Sequence, residues 1–414
     1  LAMEQPVHTT RSSLQLPFLK APQKPVLTAG FLFIALLGLI LFLNQGVQQV
    51  VLFALGLLLG YCLLHARFGF TSAFRQLLSV GNGTAIQSHM LMLAVASTLF
   101  APILSNGFGL FGTTPTGYVF PVGTSVVVGS FLFGIGMQLG GGCASGTLYT
   151  VGWGKTEMLL TLFGFIVGSV VGAWHFDFWV NQMPSFQAIS LATDTGLGFF
   201  GAWVLQLSLF ALIFFLVRFI AKKRQPPQIK PLPTANGWKR FFRGSWPIWT
   251  AAIALGVLNA LTLVSRGNPW GITSAFALWG SKIALFLGID VTQWGYWSGT
   301  KSAALEQSIL TDSTSVMNFG VILGAFVAAG AGGAFIMRRV PLKLAAASII
   351  GGLLMGYGAR LAFGCNIGAY FGGIASFSLH GWVWMIVALA GSYLALYLRP
   401  LFGLKNPKKE DQFC

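Results

Sequence analysis

Two cysteines stand in two copies of one glycine-rich pattern. The first copy, GSFLFGIGMQLGGGCASG, runs from Gly129 to Gly146 and holds Cys143. The second, GGLLMGYGARLAFGCNIG, runs from Gly351 to Gly368 and holds Cys365. Aligned without gaps, they share Gly129/Gly351, Gly134/Gly356, Gly136/Gly358, Leu139/Leu361, Gly142/Gly364, Cys143/Cys365 and Gly146/Gly368. A thiol is a weak hydrogen-bond donor. Glycine lets a ligand approach main-chain N–H groups closely, and a helix starting just after each cysteine adds unsatisfied N–H donors and partial positive charge. Such a set suits a large, weakly hydrated anion held loosely enough to be released. Ser145 and Asn366, just after the cysteines, are small polar candidates for the same path. The competing reading is that the glycines pack helices and the thiols are inert. Cys62, Cys143, Cys365 and Cys414 show no C-x-x-C spacing, so neither a zinc site nor a disulfide framework is expected.

The elements that must hold these residues are apolar helices. The chain has 414 residues, 55% hydrophobic and only 8% charged, a balance that marks an all-α polytopic membrane protein. Ten spans are expected, at about 26–44, 47–66, 88–105, 120–139, 157–176, 198–220, 246–265, 314–337, 342–362 and 379–398. Four shorter stretches, about 70–80, 143–152, 272–288 and 366–376, read as half-helices or re-entrant loops. Irregular backbone at membrane depth is tolerated only where protein buries it or where it lines a cavity. Short glycine-interrupted segments in matching positions of two halves therefore point to a transport site. The residues before Val26 are polar and proline-rich, and the run from Val26 to Leu43 is expected to be an uncleaved first span.

The net charge of +16 does not indicate a nucleic-acid partner, because the basic residues lie mostly in short loops beside the spans. From Arg218 to Arg243 there are eight basic residues, no acids and four prolines, which marks a linker. The organisation is then a cytoplasmic tail at 1–25, a first half at 26–220, a basic cytoplasmic linker at 221–245, a second half at 246–398 and a cytoplasmic tail at 399–414. Ten spans put both tails, the linker and the Arg338–Arg339–Lys343 turn on one side, the cytoplasm by the positive-inside bias. The uncharged stretch from Ser105 to Pro121 falls on the other. The span before Cys143 thus runs inward and the span before Cys365 outward, the signature of an inverted pseudo-two-fold repeat. A second repeated element, Phe70–Phe74 against Ile272–Phe276, is offset by 202 residues, whereas the cysteine motif is offset by 222. The second half therefore carries about twenty extra residues within roughly 280–313, which could form an extracellular cap or an ordinary loop, the loop being the favoured reading.

Arg67, Arg75 and Arg266 near half-helix ends are candidates for attracting an anion at the pore mouths, or for snorkelling. Arg360 lies inside an apolar span, where charge is a functional signal or an internal pair. Thr71, Ser72, Thr273 and Ser274 are expected to cap their half-helices. His65, His89, His175 and His380, near span ends, are expected to be solvated or hydrogen-bonded, and Asp177 and Asp194 to be solvated.

Three ordered motifs carry a resemblance: ARFGFTSAFR at Ala66–Arg75, GGGCASGT at Gly140–Thr147, and the stretch Gly356–Gly368 ending in ARLAFGCNIG. Together they resemble the YeeE/YedE family of sulphur-transport or thiosulfate-uptake membrane proteins, over about residues 47–398. The resemblance implies uptake of thiosulfate through an hourglass of two halves in the bacterial inner membrane, by S–H and backbone hydrogen bonds, with no cofactor or metal. It maps the family's central and C-terminal cysteines onto Cys143 and Cys365, with Gly142, Gly146, Gly364 and Gly368 shaping the path. It also implies a small soluble sulphur-carrier protein as partner. Where the family often carries a further cysteine, this chain has Gly69. Another sulphur or selenium species therefore stays open as substrate. So does a membrane sulphurtransferase with Cys143 as persulfide carrier, although no general base adjoins either cysteine in sequence.

Overall fold

The computed structural model describes residues 20–229 and 233–411. The readings made for the first tail, for Lys230 and Pro231 in the linker, and for Cys414 lie outside the described residues. Helices α1 (Lys24–Gln45), α2 (Val47–Ala66), α3 (Phe70–Val80), α4 (Thr84–Asn106), α5 (Thr124–Leu139), α6 (Ala144–Gly152), α7 (Thr156–Trp174) and α8 (Gly198–Arg224) precede the basic stretch at 221–245. The short α9 (Lys239–Phe242) lies in the linker. After it come α10 (Ile248–Arg266), α11 (Thr273–Phe286), the short α12 (Ala303–Glu306), α13 (Ser313–Ala331), α14 (Leu342–Leu361), a π-helical segment Asn366–Gly373, and α15 (Leu379–Leu398). Among the described residues, ten helical segments are long and apolar enough to cross a membrane. One small antiparallel ribbon pairs β1 (Pro121–Gly123) with β2 (Ser185–Ala188). The chain is a multi-pass helical membrane protein. Helices satisfy their own backbone groups, as a bilayer core demands.

The four half-helices fall where the sequence places them. The span expected to end at 337 stops at Ala331, because Gly332 and Gly333 break it and Gly333 takes a φ of +64°. The expected hydroxyl caps do not form: the residues before α3 and α11 are Gly69 and Ile272, and no side chain caps either helix.

The helices have two ends, and the connections sort cleanly between them. On one face, Gln23 N–H donates to Gly330 O at 2.9 Å, while Arg243 donates to Lys20 O at 2.6 Å and Ala331 O at 3.0 Å. The linker, the α13–α14 turn and the start of α1 thus meet on this basic face. On the opposite face, Leu110 N–H donates to Val264 O at 2.7 Å, Gln49 reaches Thr311 O at 2.9 Å, and Ser190 bridges Ser378.

Most motif glycines are packing residues. A Cβ on Gly129 would stand 2.7 Å from Gly358 O and Ala362 N, and one on Gly136 would stand 2.6 Å from Gly351 O. The α5–α14 crossing is therefore backbone against backbone, the close approach that small residues permit in membranes. Gly134 meets Ala388 of α15 in the same way, and Gly356 meets Phe165 of α7.

The extra residues of the second half form a folded cap rather than an ordinary loop. Val291, Tyr296, Trp297 and Leu305 are buried with Ala277 and Leu278 of α11 and Ala173 of α7. Asp177, expected to be solvated, accepts from Gly295 N–H of this cap at 3.0 Å. Asp194 accepts from Ser190 N–H at 2.8 Å, and that bond, with Thr193 Oγ1, holds its carboxyl below the usual range.

Candidate functional site

Each cysteine is the residue before a half-helix. Cys143, in extended conformation, precedes α6, and Cys365 precedes the π-helical segment. The turns that deliver them use a left-handed residue at matching positions: Gly141 at φ +78° and Phe363 at φ +52°. A phenylalanine held there costs about 1–2 kcal/mol. Its ring stacks on Phe120 at 5.2 Å, which keeps the turn in place. Both thiols are 1% exposed and belong to one buried cluster. Cys143 Sγ lies 3.3 Å from Ser145 Oγ, and Cys365 Sγ accepts from Ile367 N–H at 3.4 Å.

Around the cysteines the glycines differ from those of the α5–α14 crossing. A Cβ on Gly364 would come within 2.8 Å of Ala369 N, and one on Gly142 within 3.2 Å of Gly146 C. Those two positions are tight turns. At Gly146 the nearest atom would be Cys143 Sγ at 3.6 Å, and at Gly368 it would be Tyr118 Cε2 at 4.0 Å. Gly146 and Gly368 therefore leave room for a side chain, and Gly368 lines the cleft described next.

A cleft of about 350 Å³ opens on the face opposite the linker and reaches Gly364 and Gly368. Thr273, Ser274, Tyr296, Lys301 and Arg360 supply its polar lining. Arg360 is 6% exposed. It donates to Tyr296 Oη and, at 2.6 Å, to Thr273 Oγ1, both neutral, and its Nε has no partner. Asn366, fully buried beside Cys365, has neither amide atom paired. Buried polar groups without partners are costly, about 1–3 kcal/mol each, and Arg360 Nε and Asn366 are two of several such groups in the structure.

On the basic face a second cleft is lined by Leu64, His65, Arg67, Trp153 and the linker residues Pro233, Gly244 and Ser245. Arg67 ends α2 in left-handed conformation, with its guanidinium 3.9 Å above the Trp153 ring. Lys155 Nζ sits 4.5 Å from the same ring, and desolvation holds its ammonium below the usual lysine range. A wider space of about 490 Å³ adjoins it, its charged border formed by Lys20, Lys155, Glu157 and Arg338. Neither Cys143 nor Cys365 lines the clefts at Arg360 or Arg67.

The model of the Sulphur transport family, the YeeE/YedE proteins, matches residues 65–394, which holds both cysteine motifs and all four half-helices. The chain belongs to this family. Among its relatives, the thiosulfate transporter TsuA of Escherichia coli K12 is 27% identical over 83% of this chain and 94% of its own length. The thiosulfate transporter TsuA of Spirochaeta thermophila is 27% identical over 83% of this chain and 96% of its own. The probable transporter YedE of E. coli K12 is 36% identical, but over 40% of this chain and 43% of its own length. With that relative the chain shares less than half of the relative's length.

Within this family member, the three arginines expected near half-helix ends have different surroundings. Arg67 borders the basic-face cleft. Arg75 on α3 lies 3.5 Å from Gln138 Oε1, and Arg399 donates to the Gln138 carbonyl. Arg266 is bound to Ser313 Oγ at 2.7 Å, Thr314 Oγ1 at 2.6 Å and Pro269 O at 3.3 Å, which ties the end of α10 to the start of α13. Gly69 is extended at φ −120°, partly exposed, and accepts from Ser72 Oγ at 3.0 Å. Cys62 is buried and points at Ala251 O, 4.0 Å away. His89, expected to be solvated or hydrogen-bonded, is instead 1% exposed among Phe68, Phe70 and Tyr370, with Nδ1 unpaired.

Sequence reading did not place Tyr296 and Lys301 at the site, because both come from the inserted segment. The one available signal was Arg360, five residues before Cys365 in an apolar span. Its match in the first copy is Gln138, which donates to Thr71 O at 3.1 Å, as Arg360 donates to Thr273.

Proposed function

We propose that this chain imports thiosulfate, or a closely related small sulphur-containing anion, across the bacterial inner membrane. The observation that carries this reading is the pair of buried thiols at half-helix starts between two clefts with cationic linings. Membership in the Sulphur transport family and the TsuA relatives support the substrate class.

The anion enters the Arg360 cleft and meets Gly364, Gly368 and Cys365. Asn366 and the start of the π-helical segment offer donors there. It then passes to Cys143 and Ser145, and leaves by Gly69, Arg67 and Trp153. Thiols, amides and main-chain N–H groups offer several modest hydrogen bonds in series rather than one deep well, which suits passage because the ion must also leave. The two halves act as an inverted repeat. In support, α6 runs toward the basic face while the π-helical segment runs away from it, and α5 packs on α15 as α14 packs on α7. The basic face is cytoplasmic, as the positive-inside bias favours. A small soluble sulphur carrier would receive the anion where the linker residues Pro233, Gly244 and Ser245 border the exit cleft.

The test is growth on thiosulfate as sole sulphur source, in a bacterium lacking its own thiosulfate importers, with uptake of labelled thiosulfate measured in parallel. Growth with the parent chain and its loss with Cys143→Ala or Cys365→Ala, at equal membrane abundance, is the expected result. Parental uptake by both variants removes the thiol path.

A further inference from the structure

The cap of the second half bears on the cleft in a way the repeat alone cannot. Three bonds fix it. Trp297 Nε1 donates to Ser281 Oγ at 3.0 Å, Lys282 Nζ donates to Leu305 O at 2.6 Å, and Gly295 N–H donates to Asp177 at 3.0 Å. A Cβ on Gly295 would overlap that carboxylate, so the backbone itself is drawn against the end of α7. These bonds hold the cap against its neighbours, and the cap places Tyr296 and Lys301 in the lining of the cleft.

One ring then organises two cations. Lys301 Nζ lies 4.3 Å from the centroid of Tyr296, and Arg360 Cζ lies 5.3 Å from it. The Tyr296 hydroxyl also accepts from Arg360. Lys301 touches a second ring, Phe176, at 5.6 Å. These contacts are with neutral groups, and Arg360 Nε is buried without a partner. Two positive charges that share an aromatic support in a cleft, without a carboxylate between them, are matched by two negative charges. A monoanion leaves one cation uncompensated, and in a partly desolvated cleft that difference is larger than in water.

We infer that the cap makes this cleft a selector for dianions, with Lys301 as a specificity-determining residue and Arg360 as the fixed cation it complements. The inference rests on the transport reading above and adds what the cleft discriminates. Lys301 is exposed, and its contacts with Tyr296 and Phe176 are cation–π contacts at the surface, so its removal is expected to leave the fold intact.

The experiment measures uptake of labelled thiosulfate by the full chain in liposomes, with inhibition by sulfate, a dianion, and thiocyanate, a monoanion. Equilibrium binding of labelled thiosulfate to the detergent-solubilised protein is measured alongside. Lys301→Gln is expected to raise KM about fivefold with little change in maximal rate, and to lose most of the preference for the dianion. Lys301→Arg is expected to keep both, and the salt dependence of KM should weaken in Lys301→Gln alone. Unchanged KM and an unchanged sulfate-to-thiocyanate ratio in Lys301→Gln overturn the inference while leaving transport standing. A parent that binds thiosulfate but does not carry it sinks the transport reading, and the selector is then judged on the same ratio read from binding. A parent that neither binds nor carries thiosulfate overturns both.

Discussion

Replacing two glycines of one repeated motif by alanine should have opposite consequences. At Gly129, inside α5, the added methyl carbon would stand 2.7 Å from Gly358 O and Ala362 N, where 3.4 Å is ordinary contact. Helix α14 must retreat by about 0.7 Å along much of the crossing, and overpacking of this kind costs about 1–3 kcal/mol. At Gly368 the methyl would meet nothing closer than Tyr118 Cε2 at 4.0 Å, and the residue's φ is not positive. Alanine there should be neutral or stabilising by about 0.4–1 kcal/mol, through lost freedom in the unfolded chain. The same methyl, however, projects into the lining of the cleft, three residues from Cys365. If it presses on a passing ion at a similar overpacking cost, the rate falls roughly tenfold to a hundredfold. The assay is a paired one: apparent thermal midpoint and yield of purified protein in detergent, and initial uptake rate in liposomes at equal protein. Gly129→Ala should lower the midpoint and the yield. Gly368→Ala should keep both and lose transport. Parental uptake by Gly368→Ala would refute the claim that the path runs past this residue, and an unchanged midpoint in Gly129→Ala would refute the packing account of the crossing.

Further predictions follow from the same geometry. Asn366→Leu removes two unpaired buried polar atoms, so the thermal midpoint should hold or rise while uptake falls; parental uptake would take Asn366 off the path. Gly69→Cys is compatible with an extended backbone, and its Cβ displaces only Ser72 Oγ, 2.5 Å away, at the loss of one hydrogen bond worth about 1 kcal/mol. The folded variant should transport at least as well as the parent, and an impermeant maleimide should label the new thiol from the basic face alone. Cys62→Ala should leave uptake unchanged, since this thiol meets the α10 backbone rather than a cleft; a loss as large as that of Cys143→Ala would place Cys62 on the path. Asp177→Ala removes the acceptor of Gly295 N–H and should loosen the cap, raising KM for thiosulfate more than it lowers the maximal rate; a pure loss of maximal rate would tie Asp177 to some other step.

The linear chain by itself determined the elements and their order. Span length is a local property, set by the thickness of the apolar layer that a run of side chains must match. The half-helices were legible for a similar reason: glycine and small hydroxyl residues interrupt apolar runs locally, and α3 begins and ends where its residues say it should. The positions of Cys143 and Cys365 at half-helix starts were likewise written in their motifs. The tertiary structure alone decided which glycines pack helices and which border open space, because Gly129 and Gly368 are the same residue type and differ only in what stands opposite. It also decided that Thr273 accepts from Arg360 instead of capping α11, and that about twenty extra residues fold into a cap instead of a loop. Those outcomes depend on contacts such as Arg360 with Tyr296 and Asp177 with Gly295, far apart in sequence. No local pattern encodes such contacts, since they exist only once the helices have assembled around them.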